Sequence, residues 1–349
     1  MRPYSQFLHQ MRRNTPPCQI NLGGSTPPFT KDSTFFSDIQ LSTLSSNQLP
    51  ELHKLRDILA KKQNGQVAEF QFAPGSSQVY TQLLAAITKP GDTVLLDTPN
   101  YEPFAACAKF LQLKIKYFRR TLDFAQDLKE IKKQTRGTKV IVLSNPHCPT
   151  GQMYPPEFLI QLSKFSPHVI VDEDFVPLFT DGRQSLLPGE RPPNIYTIGS
   201  FSKSLGLSML RLGWLRAPSK MADHFDRLAN NFHIDMPSPS IQMGLRAAEH
   251  WDELIKPNLV LANANRPLLQ KWGQDNPHVL SHDFSNGFFG LLRVPKKFKD
   301  GEAFSSEILK SGTYLKPGRL FRAPKHVRLH ILVSNDVFMN IWQKIRFYY

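Results

Sequence analysis

Ser200-Phe-Ser-Lys-Ser-Leu-Gly-Leu-Ser-Met-Leu-Arg-Leu-Gly-Trp214 follows a short apolar run, Tyr196 to Ile198, that reads as a buried strand. The stretch places Lys203 behind two serines at a strand end and eight positions before Arg211. A lysine that is desolvated there and close to a second cation loses part of its proton affinity, so its amine can attack a carbonyl. Ser200, Ser202 and Arg211 can hold a phosphate beside it, the serines through their hydroxyls and the arginine through a two-pronged guanidinium contact. An isolated Ser-x-Ser-Lys would read as a surface loop; the whole string favours a site.

Outward from this stretch, residues 50 to 235 alternate helical periods with short apolar runs, the layout of an α/β sheet covered by helices. Strands are expected at Thr93 to Leu96, Lys114 to Phe118, Lys139 to Leu143, Val169 to Asp172, Tyr196 to Ile198 and Leu212 to Leu215. Helices are expected after Ser76, Tyr101, Asp123 and Pro155, and another carries Leu52, Leu55, Ile58 and Leu59 on one face. Past Pro237 and Pro239 come long helical segments, strand-like runs at Phe288 to Val294, Tyr314 to Lys316 and Val327 to Leu332, and a closing helix through Trp342, together a smaller α+β domain. The prolines and glycines of the first 30 residues favour an extended arm. The expected partition is an arm over residues 1–30, a large domain over 31–235 and a small domain over 236–349.

Composition narrows the function. Three scattered cysteines exclude a disulfide framework or a cysteine metal cage and favour a reducing compartment. No stretch approaches the roughly 20 apolar residues of a membrane span, and no apolar run follows the basic start, so a cytoplasmic protein without membrane partners is expected. Forty-three lysines and arginines against 29 acids leave a formal charge of +14. These cations are dispersed, with no basic arm or stripe, which fits a solvated surface and anionic small molecules better than nucleic acid. His147 and Cys148 are adjacent but lack partner ligands at usable spacing, so no metal is expected.

The Lys203 string resembles the fold-type I pyridoxal-phosphate enzymes, in particular the class I/II aminotransferases with their histidinol-phosphate aminotransferase and threonine-phosphate decarboxylase relatives. The resemblance covers nearly the whole chain, in the family's motif order. It implies that Lys203 binds pyridoxal 5'-phosphate covalently and shuttles the proton, with Ser200, Ser202 and Arg211 anchoring the phosphate. In Ala73-Pro-Gly-Ser-Ser-Gln78 the backbone N–H groups of Ser76 and Ser77 would point at that phosphate from a helix start. Tyr101, in Asp97-Thr-Pro-Asn-Tyr-Glu-Pro103, matches the aromatic that stacks on the pyridine ring. Asp172, at the end of the apolar run Val169-Ile-Val-Asp172, matches the carboxylate that pairs with the ring nitrogen, which would also offset the cost of burying it. Glu173 and Asp174 read as helix-start or solvent-facing charges.

Departures from the family pattern are equally specific. Ser144-Asn-Pro-His-Cys-Pro-Thr-Gly151 carries Cys148 where the family has an asparagine donating to the cofactor's phenolic oxygen, and Phe175 stands where a tyrosine usually gives the second donor. Phe288, in Ser285-Asn-Gly-Phe-Phe-Gly290, replaces another asparagine, and no tyrosine occurs between Phe36 and Val79 to serve a neighbouring subunit. Arg328 matches the arginine that binds the substrate carboxylate, with a strand-end surface arginine as the alternative; Gly24 is expected over the substrate. Arg319 and Arg322 either read a distal substrate anion or are solvated. The resemblance implies an amino acid and a 2-oxo acid as substrates and a homodimer. The alternatives are a decarboxylase or lyase, which Phe175 suits, and a cofactor-fold binding or regulatory protein with impaired chemistry.

Overall fold

The computed structural model describes residues 16–24, 26–27, 31, 33–37, 39, 49–121, 124–179, 182–277, 279–280 and 287–349. Asp123, Ser285, Asn286 and the first half of the arm lie outside the described residues. In chain order the strands are β1 (Ile20–Asn21), β2 (Phe70–Ala73), β3 (Thr93–Thr98), β4 (Lys114–Arg119), β5 (Val140–Ser144), β6 (His168–Asp172), β7 (Ile195–Ser200), β8 (Gly213–Arg216), β9 (Phe289–Arg293), β10 (Thr313–Tyr314), β11 (Lys316–Pro317) and β12 (His326–His330). The helices are α1 (Leu49–Lys62), α2 (Ser76–Ile87), α3 (Glu102–Phe110), α4 (Phe124–Gln134), α5 (Pro156–Leu162), α6 (Val176–Phe179), α7 (Phe201–Ser204), α8 (Ser219–Ala229), α9 (Ser238–Glu249), α10 (Trp251–Asp275), α11 (Gly301–Leu309) and α12 (Asn335–Arg346).

Among the described residues, a seven-stranded sheet runs in the order β2-β8-β7-β6-β5-β3-β4. Strands β3 to β7 pair in parallel, while β8 turns back antiparallel to both β7 and β2. The central strands are buried along their whole length because helices cover both faces. Successive residues enter different cores: Val140 and Val142 pack with Val79, Leu83 and Leu96, whereas Ile141 and Leu143 pack with Phe158, Leu159 and Val171. Each such fully buried aliphatic side chain contributes about 1.5–3 kcal/mol.

A three-stranded antiparallel sheet, β11-β12-β9, follows later in the chain, with α11 and α12 alongside. One apolar cluster runs from Leu55 and Leu59 of α1 through Phe201, Trp214 and Trp251 to Phe288, Phe289 and Trp342, joining this sheet to the larger one. The arm is extended, as its prolines and glycines predict, and β1 pairs in parallel with β10.

Two differences from the sequence reading stand out. Strand β2 was not expected, since four residues, Phe-Gln-Phe-Ala, are too short to display a period; its partner β8 supplies the reason it is a strand. The expected run Tyr314 to Lys316 splits at Leu315, so that Tyr314 pairs with the arm and Lys316 with β12.

Candidate active site

The turn between β7 and β8 brings Lys203 and Arg211 together. Because these strands are antiparallel, Ser200 faces Gly213 in register, and the intervening residues fold back over the carboxyl ends of the parallel strands. Ligands in open α/β sheets bind at those ends. Ser200 caps the single turn α7, its Oγ accepting from the Ser202 N–H at 3.2 Å. Arg211 takes a left-handed backbone and donates to the carbonyls of Ser208 at 3.0 Å and Pro74 at 3.3 Å. A cavity of about 120 Å³ is lined by Ser76, Ser77, Tyr101, Cys148, Asp172, Phe175, Ser202, Lys203 and Arg211, together with Asp174. Residues from five separate sequence motifs thus share one pocket.

The geometry suits a phosphate. Ser76 and Ser77 open α2, where backbone N–H groups lack helical partners and the helix dipole is positive. The preceding Gly75 has φ +88° and Gly213 packs directly on it: a Cβ on Gly213 would lie 2.5 Å from the Ser76 nitrogen. Ser202 Oγ is buried with no hydrogen-bond partner among the described residues. A buried hydroxyl left in that state costs free energy that an acceptor oxygen would recover.

Burial lowers the proton affinity of Lys203, and the like charge of Arg328 adds to it, against the pull of Asp174, Cys148 and Asp172. Asp172 ends β6, where its Oδ1 accepts from the Asp174 N–H at 3.0 Å. Burial, then the charge of Asp174, raises its pKa well above the carboxylate range. Glu173 and Asp174 are not solvent-facing: both are buried. Glu173 accepts from the Leu186 N–H at 3.0 Å, and burial pushes it up to about 7. Asp174 turns into the cavity and accepts from Ser76 Oγ at 2.6 Å. Three consecutive acids on a strand end look solvated in sequence; here the chain turns inward after β6 and buries them.

The Ser144–Gly151 turn is locked from behind. His147 bridges Thr150 Oγ1 at 2.5 Å and the Pro99 carbonyl at 2.8 Å, which makes it a turn residue. Arg120 lies over the Tyr154 ring at 3.8 Å and donates to Asp97, Asn145 and the carbonyls of Ser144 and Gln152. Burial pushes Asp97 up to about 7 against the pull of Arg120. Cys148 Sγ accepts from Arg328 Nη1 at 3.4 Å. Tyr101 hydrogen-bonds with Ser77 and meets Phe104 edge-on. Phe175 contacts Phe288 and Phe289 at 5.5 and 5.0 Å between ring centres, so two departures from the family pattern touch each other and form an apolar wall.

Arg328, on β12, is wholly buried, which rules out the surface alternative. Its Nη2 donates to the carbonyls of Gly23 and Gly24 at 2.8 and 3.0 Å, and its guanidinium lies over Phe321 at 4.9 Å. Lys316, paired in register with Arg328, is buried as well. Burial and the like charges of Arg328 and Lys203 pull it down to about 7. Sequence reasoning missed Lys316, because a single lysine in Tyr-Leu-Lys-Pro carries no signal of depth. Arg319 pairs with Glu302, and Arg322 stacks over Tyr117 at 4.1 Å; neither lines the pocket around Lys203. Among the described residues no group of three His, Cys, Asp or Glu could hold a metal ion, and no helix is long and apolar enough to cross a membrane.

Comparison with known proteins gives the family and the fold. The chain is 26% identical over 292 residues to a histidinol-phosphate aminotransferase of Caldicellulosiruptor saccharolyticus, covering 80% of this chain and 77% of that one. It is 26% identical over 284 residues to an aspartate aminotransferase of Sulfurisphaera tokodaii, covering 75% and 70%. In fold it is similar to a PLP-dependent aminotransferase from Streptococcus suis, with a TM-score of 0.83, 17% identity, and coverage of 99% and 97%. The model of the family described as aminotransferase class I and II, whose cofactor is pyridoxal 5'-phosphate, matches residues 30–345. That match spans all but the two ends of the sequence, and the chain therefore belongs to the class I and II aminotransferase family, with the fold-type I architecture.

Proposed function

We propose that the protein transfers an amino group between an amino acid and a 2-oxo acid, with Lys203 as the residue that carries the proton. The observation behind this reading is the meeting of Lys203, Asp172, the start of α2 and Arg211 around one pocket, with Arg328 close enough to bear on Lys203. Ser76, Ser77, Ser200, Ser202 and Arg211 would hold the cofactor phosphate, Tyr101 the ring face and Asp172 the ring nitrogen. Bound pyridoxal phosphate supplies the electron sink for charge developing at the substrate Cα. Lys203, with its proton affinity lowered by burial, takes and returns the proton there. Arg328, held by the Gly23 and Gly24 carbonyls, would receive the substrate carboxylate, and Gly24 would lie over the substrate. Phe175, Phe288 and Phe289 exclude water from that side.

The test is a single-turnover panel: cofactor-loaded protein, one amino acid at a time, with the 2-oxo acid quantified. One 2-oxo acid per site supports transamination. The apolar wall at Phe175 favours a second reading, decarboxylation or elimination, and release of carbon dioxide, or of a cleaved side chain together with ammonia, would establish it. Borohydride should attach the cofactor to Lys203, and a label on any other lysine would refute the assignment.

The reading includes a homodimer in the cytoplasm, with no nucleic-acid partner, and the partition at 30/31 and 235/236 into arm, large and small domains. A sedimentation profile of an active monomer would remove the dimer.

A further inference from the structure

A second cavity, of about 580 Å³, shares no lining residue with the pocket around Lys203. One wall comes from the ends of β3 and β4 and the residues after the Ser144–Gly151 turn; the other comes from β9, β12 and the loop before β12. Arg119, Arg293, Arg322 and Lys325 line it, with the buried Arg120 between them, and no lining residue is acidic. Arg120 is committed to Asp97, but none of the other four enters an ion pair among the described residues. His326, on the same wall, has Nδ1 buried with no hydrogen-bond partner among the described residues.

Several cations converging on one cleft without a counter-charge repel each other and focus a positive potential into it. An anion placed there removes the repulsion. Guanidinium forks match phosphate oxygens in pairs, and the hydroxyl of Thr98 adds a donor. Small-molecule pockets span roughly 300–1,000 Å³, so the volume suits a compact ligand. No Phe, Tyr or Trp lines the cleft, so a large aromatic platform for a base is missing from its lining.

We propose that this cleft is a binding site for a small polyanion bearing two or more linked phosphate groups, held by Arg293, Arg322 and Lys325 on one wall and Arg119 on the other. The ligand would join the two sheets at a point away from Lys203. Since β12 carries both His326 and Arg328, the cleft and the pocket share a strand.

Calorimetry with inorganic triphosphate and cofactor-loaded protein tests this, because the bound cofactor occupies the phosphate anchors near Arg211. One triphosphate per chain should bind, about tenfold or more tightly than orthophosphate, and more weakly as salt rises. The double variant Arg293→Gln/Arg322→Gln should weaken binding at least about tenfold while cofactor absorbance and melting temperature hold. Should that variant fail to fold, the exposed single change Lys325→Gln should still weaken binding about threefold. Triphosphate binding that both variants leave intact, or that orthophosphate matches, would overturn the proposal. So would a short single-stranded DNA that outcompetes triphosphate through the same arginines, which would make the cleft part of a nucleic-acid surface.

Discussion

Ser76 gives its hydroxyl to Asp174 at 2.6 Å, so a carboxylate already occupies one of the donors that open α2. Asp174 also draws on the charge of Lys203, and on Ser200 and Arg211, two of the groups proposed for the cofactor phosphate. Two anions therefore compete for one set of donors. Asp174→Ala should raise cofactor affinity by about tenfold, measured by fluorescence titration of cofactor-free protein. An unchanged affinity would mean that the carboxylate and the phosphate do not contend.

Asp172 and Glu173 are neighbours with different duties. Asp172 lines the cavity, whereas Glu173 is tied to the Leu186 N–H outside it. Asp172→Asn should lower kcat by roughly a hundredfold or more with a near-parental melting temperature. Glu173→Gln should do the reverse, losing about 1–2 kcal/mol of stability with activity largely retained. Equal losses of activity in the two variants would show that the wrong carboxylate has been chosen.

Lys316 gives a pH signature. Its ordinary value of 10.5 falls to about 7 in the fold, so the folded chain favours the neutral amine. A depressed lysine contributes stability above pH 10.5, where both states are neutral, and loses it as pH falls toward 7. The cost of holding the charged form is on the order of a few kcal/mol. Lys316→Met should therefore melt several degrees above the parent at pH 6.5, with the gap narrowing toward pH 10. A gap independent of pH would assign the effect to packing alone.

Cys148 and Phe175 leave little hydrogen-bond donation where the family places two donors. A donor to the cofactor's phenolic oxygen would lower the pH of its spectral transition, so Cys148→Asn and Phe175→Tyr should each shift the absorbance titration downward, and together shift it further. Phe175→Tyr also buries a hydroxyl against Phe288 and Phe289 and should cost about 1–3 kcal/mol. If no variant moves the titration, neither side chain faces that oxygen.

The legible part of this molecule is local. Apolar runs bounded by turn residues mark β3 to β8 within two residues at each end, and the Lys203 string, Asp172 and the Asn145 turn sit on those strand ends. What escaped depends on partners far away in the chain. Phe70–Ala73 is a strand only because β8 lies beside it. Asp174 looks exposed until the chain turns inward, and Lys316 looks exposed until β11 pairs with β12. The Arg120–Asp97 pair behind the turn is invisible for the same reason, since Asp97 lies on β3 and Arg120 directly after β4, and the two meet only when those strands align.

The hydrogen bonds from Arg328 to Gly23 and Gly24 span 305 and 304 positions. Lys203 and the groups proposed to anchor the phosphate are all synthesised by residue 211, but Arg328, proposed to receive the carboxylate, follows more than a hundred residues later, long after the glycines that steady it. A nascent chain thus holds the groups proposed for the cofactor well before the one proposed for the substrate exists. Premature termination between Arg211 and Arg328 would leave a chain that has the groups proposed for the cofactor yet lacks the arginine proposed for the carboxylate.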